Sequence, residues 1–319
     1  MNRLSHWRYL IRKQFFVKAC LYMVPNLYYA TRTALGIDRN SRHPEAGTAP
    51  SGHVALCLRF RDEARYLKEW LDYHLAAGID HFFLYNNFSN DGYEEVLRPY
   101  LEHGRVTLID WPHAPASPGA ENDCIARTSG RFAWVGFFDA DEFVVIADGR
   151  AIPEFLEDFP RACGLAVHNY NFGSNGHKDR PDGCVIDAYT RRDALPNIHF
   201  KVFVRPDRVT RNRNSHNFYY RDARCAVNEL GRRVYGSMNE PATARRAWHN
   251  HYLYKSREDY LEKASRGSVI DVSTMKRPGR VVEQANEAMA AANDVEDFSA
   301  RNYLDRRNEH VDIEVTQSN

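Results

Sequence analysis

Residues 54–87 read VALCLRFRDEARYLKEWLDYHLAAGIDHFFLYNN, and the spacing of their apolar positions changes period twice. Val54–Phe60 is a short apolar run of strand length, whereas Leu67, Trp70, Leu71, His74 and Leu75 fall on one helical face. Gly78 stops that helix, and residues 81–85 form a second strand-length run. Strand, amphipathic helix and strand in this order predict a β-α-β unit with parallel strands.

The alternation continues downstream. Asn90 or Asp91 offers a cap for a helix whose inner face is Tyr93, Val96, Leu97, Tyr100 and Leu101; Pro99 interrupts it and Gly104 ends it. Residues 106–111 (VTLIDW) read as a third strand, residues 120–128 as a helix, and residues 132–138 (FAWVGFF) as a fourth strand ending at Asp139. Four such units predict an α/β fold with a doubly wound, mostly parallel sheet. Ligands of such sheets bind beyond the carboxyl ends of the strands, so RDEAR, NNFSNDG and DADE, each following a strand, should meet in one crevice. Beyond Val145 the pattern turns irregular, with strands expected near 165–170, 184–189 and 199–205 in a mixed β region. EQANEAMAAAND, at 283–294, reads as surface helix. The expected organisation is a helical extension and linker over 1–50, a core domain over 51–270 and a helical tail over 271–319.

Composition narrows the function classes. Forty-three basic residues against forty-two acidic ones leave a formal charge of +1, so no global field favours a nucleic-acid partner. The six cysteines, at 20, 57, 124, 163, 184 and 225, contain no CxxC pair and indicate neither a zinc knuckle nor a disulfide framework. The apolar stretch of residues 15–30 is broken by Lys18 and Pro25, and Arg3, Arg8, Arg12 and Lys13 precede it. It falls short of a spanning helix and lacks a cleavage site. Two readings stay open: packing against its own domain, or peripheral contact with an anionic membrane surface. The expected location is cytoplasmic, and on the second of these readings peripheral on the inner membrane face.

The sharpest chemical signal is FFDADEFVV, residues 137–145, where three carboxylates stand between apolar runs. Burying such charge is costly unless a cation or donors compensate it. In an extended chain Asp139 and Asp141 would share one side and Glu142 would point elsewhere, and two convergent carboxylates suit Mn²⁺ or Mg²⁺. A strand-end cap is the plain alternative for so short a motif. LYNNFSNDG, at 84–92, can bind a nucleoside through Asn87, Ser89 and Asp91, or simply be a turn with a helix cap. Arg61, Asp62 and Glu63 lie where a base would approach. Lys201, Arg205 and His216 are candidates for phosphate or substrate contact, or solvated strand-edge charge.

Together, RFRDEARYLKEWLDYHLAAGIDHFFLYNNFSNDG, FFDADEFVV, FGSNGH (172–177), FKVFVRP (200–206) and WHNHYLYKS (248–256) resemble glycosyltransferase family 92 and related family 2-like enzymes. The resemblance implies a GT-A fold whose mixed β region covers the acceptor side, and transfer of a hexose, with inversion, from a nucleotide-diphosphate sugar, UDP-galactose being the first trial, to a glycan or lipid-linked acceptor in polysaccharide biosynthesis. It implies a donor site bordered by Arg61, Asp62, Glu63, Asn87, Ser89, Asp91 and Asp139, and a metal site of Asp139, Asp141 and a later histidine. His251 matches the pattern better than His249. Gly173, Ser174, Asn175, Gly176 and His177 are candidates for an acceptor loop that the two glycines permit, or for an ordinary turn. A general base is also required, with Asp179, Asp182, Glu229 and Glu240 as candidates that no spacing separates. The alternatives are a nucleotidyltransferase, disfavoured because RFRDEAR has no glycine-rich phosphate loop, and a non-catalytic carbohydrate-binding relative.

Overall fold

The computed structural model describes residues 53–113, 119–214, 216–221, 226–265 and 289–317, with isolated helical positions at 24, 27, 28, 31, 283, 286 and 287. Most of the basic-aromatic N-terminal segment and the linker up to residue 52 therefore lie outside the described residues. Among the described residues no helix is long and apolar enough to cross a membrane.

The first half follows the expected alternation: β1 (Val54–Phe60), α1 (Ala64–Ala76), β2 (His81–Asn86), α2 (Tyr93–Glu102), β3 (Val106–Asp110), α3 (Gly119–Thr128) and β4 (Trp134–Phe137). After it come β5 (Glu142–Ile146), α4 (Ile152–Leu156), β6 (Gly164–Asn171), α5 (Val185–Ala188), β7 (Arg191–Arg192) and β8 (Asn197–Val204). The chain continues through β9 (Val209–Asn214), β10 (Asn217–Tyr220), β11 (Val227–Asn228), β12 (Ala247–His251), α6 (Arg257–Ser265), β13 (Val295–Glu296) and α7 (Ser299–Gln317).

The main sheet runs β3-β2-β1-β4-β8-β6-β12-β5, with β11 added to β6. Its first four strands are parallel, as expected of β-α-β units. Beyond them the sheet is mixed: β8 opposes β4 and β6, β12 runs with β6, and β5 opposes β12. β1 and β4 are buried on both faces, which explains apolar runs without alternation. Gly136 is fixed by packing, since a Cβ there would stand 2.6 Å from Leu56 Cδ2 and from Phe203 Cε1.

Two expectations are corrected. Residues 184–189 do not form a strand: they hold the short helix α5, whose N–H groups at Val185 and Ile186 donate to the Glu69 carboxylate at 2.7 and 3.0 Å. A carboxylate from α1 thus takes up donors that a helix start leaves unpaired. Neither Asn90 nor Asp91 caps α2, which starts instead from Gly92 at φ 80°. Asp91 turns the other way and accepts the Ala64 N–H at 2.7 Å.

The tail is also bound more closely than its polar composition suggests. Ala300 and Tyr303 of α7 are buried in the same core as β1 and α1. Tyr303 Oη donates to the Arg150 carbonyl at 2.9 Å, and Arg307 Nε to the Ala76 carbonyl at 3.0 Å. Underneath, α1 grips β5: Trp70 Nε1 donates to the Glu142 carbonyl at 3.0 Å and Tyr73 Oη to the Val144 carbonyl at 2.8 Å. The strand that begins with Glu142 is thereby fixed against the core.

Burial lowers the pKa of His74 to about 3 and that of His168 to about 4. Below pH 6.5 the unfolded chain takes up protons at these positions and the folded chain does not. Stability is therefore expected to fall with falling pH between 6.5 and 4, by about 1.4 kcal/mol per pH unit for each histidine. Urea midpoints at pH 7.0, 5.5 and 4.5 check this. A midpoint constant across the three would overturn it.

Candidate active site

The carboxylate cluster stands where β4 ends. Residues 138–141 leave the sheet as a turn closed from both sides: Glu142 N–H donates to the Asp139 carbonyl at 3.0 Å, and Asp139 N–H to Glu142 Oε2 at 2.9 Å. The extended geometry expected for this segment is therefore corrected. Glu142 does not point elsewhere but folds back into the cluster, and only 1% of its side chain is exposed. Asp139 and Asp141 separate, each toward its own lysine. Lys201 Nζ, from β8, lies 2.5 Å from Asp139 Oδ2 and 3.2 Å from Glu142 Oε2. Lys263 Nζ, from α6, lies 2.6 Å from Asp141 Oδ2, with Lys255 Nζ at 3.9 Å from the same oxygen.

β12 brings in the histidines. It pairs with β5 so that His251 faces Glu142 and His249 faces Val144 across the ladder. Two residues apart on a strand, both rings project to one face. His249 Nε2 is 3.4 Å from Glu142 Oε1, while His251 Nε2 is 3.7 Å from Asp141 Oδ1. Tyr252 N–H donates to the Asp141 carbonyl at 2.8 Å and fixes the end of β12 against the turn. Burial lowers the His251 pKa although Asp141 and Glu142 pull the other way, so the ring stays neutral and able to bind a cation. Burial by itself would raise Asp141 and Glu142. Lys263 and Lys255 around the first, and Lys201 with a hydrogen bond from His249 around the second, outweigh it and hold both carboxyls well below their usual range.

The two lysines near Asp141 owe their places to a capping box. Ser256 Oγ and N–H both donate to Asp259 Oδ2, at 2.7 and 3.2 Å, and Asp259 N–H donates to Ser256 Oγ at 3.0 Å. This S-x-x-D reciprocity starts α6. It leaves Lys255 just before the helix, in the left-handed region at φ 48°, and carries Lys263 two turns further along. Between α6 and the loops after β1 and β2 lies a cleft of about 160 Å³, whose lining includes Asp62, Tyr66, Asp91, Arg180, Lys255 and Lys263.

The sequence profile described as glycosyltransferase family 92 matches residues 54–258, almost two thirds of the chain. This chain belongs to glycosyltransferase family 92. A family 92 protein of Oryza sativa is 32% identical over 219 residues, covering 66% of this chain and 35% of its own length. One from Ricinus communis is 29% identical over 218 residues, 66% of this chain and 37% of its own length. A galactan beta-1,4-galactosyltransferase of Arabidopsis thaliana is 32% identical over 161 residues, 45% of this chain and 32% of its own length. The chain thus spans about a third of the length of the curated relatives it matches. A solved glucosyl-3-phosphoglycerate synthase from Mycobacterium tuberculosis aligns with 49% of this chain and 58% of its own at 14% identity and a TM-score of 0.29, a likeness too slight to bear on the fold.

Of the residues that the family 92 resemblance assigns to the donor, those after β1 and β2 converge but are largely spent on one another, whereas Asp139 lines a separate recess with Arg59, Glu121 and Lys201. Arg61 donates to the Asn87 carbonyl at 2.7 Å and to the Asn87 side chain. Asn87, fully buried, gives its amide hydrogens to the carbonyls of Trp111 and His113 at 2.8 and 2.9 Å. Ser89 Oγ accepts the Asp62 N–H at 2.9 Å, and Asp62 Oδ1 accepts the Asn90 N–H at 2.9 Å. These bonds lock the two loops and leave Asp62 and Asp91 facing the cleft, with Glu63 at the start of α1.

The FGSNGH loop of this family 92 chain is covered by its own tail. A Cβ on Gly173 would stand 2.4 Å from the Ala292 carbonyl oxygen, so the glycine admits residues 291–292. Ser174 Oγ donates to the Met289 carbonyl at 3.0 Å, Asn175 N–H to Asn293 Oδ1 at 3.0 Å, and His177 Nε2 lies 3.2 Å from the Ala188 carbonyl. Of the loop only Gly176 is exposed. Among the base candidates Glu229 is corrected: it is buried against Thr243 Oγ1 at 2.6 Å and the Arg245 N–H at 3.1 Å, beside the start of β12 and at the opposite end of that strand from His251. Arg205 is likewise remote, stacked over Trp134 at the far end of β4. Asp179 and Asp182 are exposed on either side of Arg180, which itself lines the cleft, and Glu240 is exposed in the segment that pairs with Ile198. Lys201 and His216 were both visible in the sequence as candidates, and His216 sits beside Lys201 with its Nδ1 2.9 Å from the Phe200 carbonyl. Lys263 was missed, although S-x-x-D at 256–259 signals the helix that carries it.

The donor chemistry of Asp139, Asp141 and His251, two carboxylates and a neutral imidazole, fits a divalent cation. Among the described residues, however, no group of three or more such side chains forms a ready cage. Lys201 and Lys263 hold the oxygens a cation would need.

Proposed function

We propose that this chain is a metal-dependent glycosyltransferase that moves a hexose from a UDP-sugar, UDP-galactose first among them, to a glycan or lipid-linked acceptor with inversion. The observation that carries the reading is the cluster of Asp139, Asp141, Glu142 and His251 at the carboxyl end of β4, facing Lys201, Lys255 and Lys263 beside the cleft. Three carboxylates opposed by three ammonium groups suit a diphosphate together with a cation: Asp141, Glu142, Lys201 and Lys255 are desolvated, while Asp139 and Lys263 keep nearly half of their side chains exposed to incoming ligands. The galactan galactosyltransferase relative supports galactose as the sugar to try first.

Asp139, Asp141 and His251 would hold Mn²⁺ or Mg²⁺, which acts as a Lewis acid on the charge of a departing nucleoside diphosphate. The chain's own groups do the rest. Lys255 and Lys263 bring positive charge to the side of the cleft nearest Asp141, and Lys201 holds Asp139 and Glu142 in place. Asp62 and Asp91 offer acceptors for the nucleoside at the other side. Asp179 and Asp182, exposed beside the cleft-lining Arg180, are the base candidates that can take the proton of an incoming hydroxyl.

Calorimetric titration of UDP and GDP, with and without Mn²⁺, followed by UDP-galactose turnover on β-1,4-galactan oligosaccharides, tests the reading. UDP binding only with Mn²⁺, and galactose transfer, are expected. If neither nucleotide binds under any condition, the chain is a carbohydrate-binding relative instead.

A further inference from the structure

The two lysines that neutralise the aspartates are not equivalent. Lys201 is buried, with 6% of its side chain exposed, and is shared between Asp139 and Glu142. Lys263 has 45% of its side chain exposed, stands on the last turns of α6, lines the cleft, and reaches only one carboxylate within ion-pair distance among the described residues, Asp141. The Asp141 oxygen it occupies belongs to the same carboxylate whose other oxygen faces His251 Nε2 at 3.7 Å. An ammonium and a divalent cation therefore compete for Asp141. The competition is local and reversible, because a long lysine side chain at the mouth of a cleft can swing without disturbing the capping box that anchors its helix.

We infer that Lys263 is a displaceable counter-ion: it occupies Asp141 until a divalent cation takes its place, and its freed ammonium then pairs with the donor diphosphate in the adjoining cleft. This rests on the glycosyltransferase reading above and goes beyond it by coupling the two ligands. A cation alone must evict Lys263 without giving it a new partner. A cation arriving with a nucleoside diphosphate supplies that partner, since phosphate oxygens are strong acceptors for ammonium. Metal and nucleotide should accordingly bind with positive, reciprocal coupling. Lys255, buried against the Tyr66 ring at 4.3 Å, has no comparable freedom to leave.

The test measures Mn²⁺ binding by electron paramagnetic resonance, with and without UDP, on the full chain freed of metal and on Lys263→Met and Lys263→Arg. Wild type is expected to bind Mn²⁺ weakly alone and about 10- to 100-fold more tightly with UDP, within the usual range of coupling between sites. Lys263→Met should bind Mn²⁺ alone roughly tenfold more tightly than wild type and UDP with Mn²⁺ roughly tenfold more weakly, so that most of the coupling disappears. Lys263→Arg should retain the wild-type order, because it keeps the competing charge. If Lys263→Met leaves the affinity for Mn²⁺ alone unchanged or weaker while wild type binds Mn²⁺ and UDP together, the counter-ion role is overturned and the glycosyltransferase reading stands. If wild type binds no UDP with Mn²⁺, both fall. Thermal melts of each variant separate these outcomes from misfolding.

Discussion

Asp141→Asn is expected to lower sugar-transfer turnover about 10³-fold, the several kcal/mol of charge stabilisation that a divalent cation supplies. The side chain keeps its shape and an oxygen that can still accept from Lys263, and the backbone carbonyl that holds Tyr252 N–H is untouched. What disappears is the negative charge on a side chain of which only 6% is exposed. A neutral amide oxygen holds a hard cation less tightly than a charged carboxylate does. The expected signature is loss of Mn²⁺-dependent UDP binding in calorimetry together with loss of turnover, while circular dichroism remains that of wild type. Wild-type turnover and an unaltered Mn²⁺ requirement in this variant would move the donor site away from the DADE turn.

The largest effect on stability belongs to Lys201→Met. Its ammonium lies 3.2 Å from Glu142 Oε2, and both side chains are almost fully buried. Burial works to lower the Lys201 pKa, but Asp139 and Glu142 outweigh it and hold the group above its ordinary range, so it remains charged. Asp139, with 46% of its side chain exposed, can turn to water when the lysine is removed; Glu142, with 1%, cannot. An uncompensated buried carboxylate costs about 3–5 kcal/mol, a drop in Tm of roughly 10 °C for a chain of this size. Lys201→Met/Glu142→Gln should recover most of that loss, because the cost lies in the orphaned charge rather than in the missing contact. Thermal melts of the two single variants and the double variant decide it. Single-variant stability equal to wild type would mean that Glu142 finds water or a proton where it is buried.

The β-α-β half was legible because both of its signals are local. β1 and β4 are buried on both faces and read as unbroken apolar runs, while Leu67, Trp70 and Leu71 mark one face of α1 by spacing alone. Residues 184–189 misled because their helix depends on Glu69, more than a hundred residues away, and no local pattern reports a distant carboxylate. The DADE turn misled in the same manner. Period-two alternation presumes extended backbone, and the Glu142 carboxylate instead bonds the Asp139 N–H and closes a turn.

What the sequence determined by itself is therefore the parallel order of the first strands, the placing of polar loops at their carboxyl ends, the carboxylates that follow β4 and the family 92 motifs. These follow from hydrophobic period and from the identity of residues close together in the chain. Only the tertiary structure decided which cation meets which carboxylate. Lys201 arrives from β8, Lys263 from α6 and His251 from β12, and the register of β12 on β5 brings His251 to Glu142. It also decided that Gly173 faces the chain's own tail and that Glu229 lies at the wrong end of a strand. Pairing between segments far apart in sequence depends on sheet register and helix docking, and neither has a local period to read.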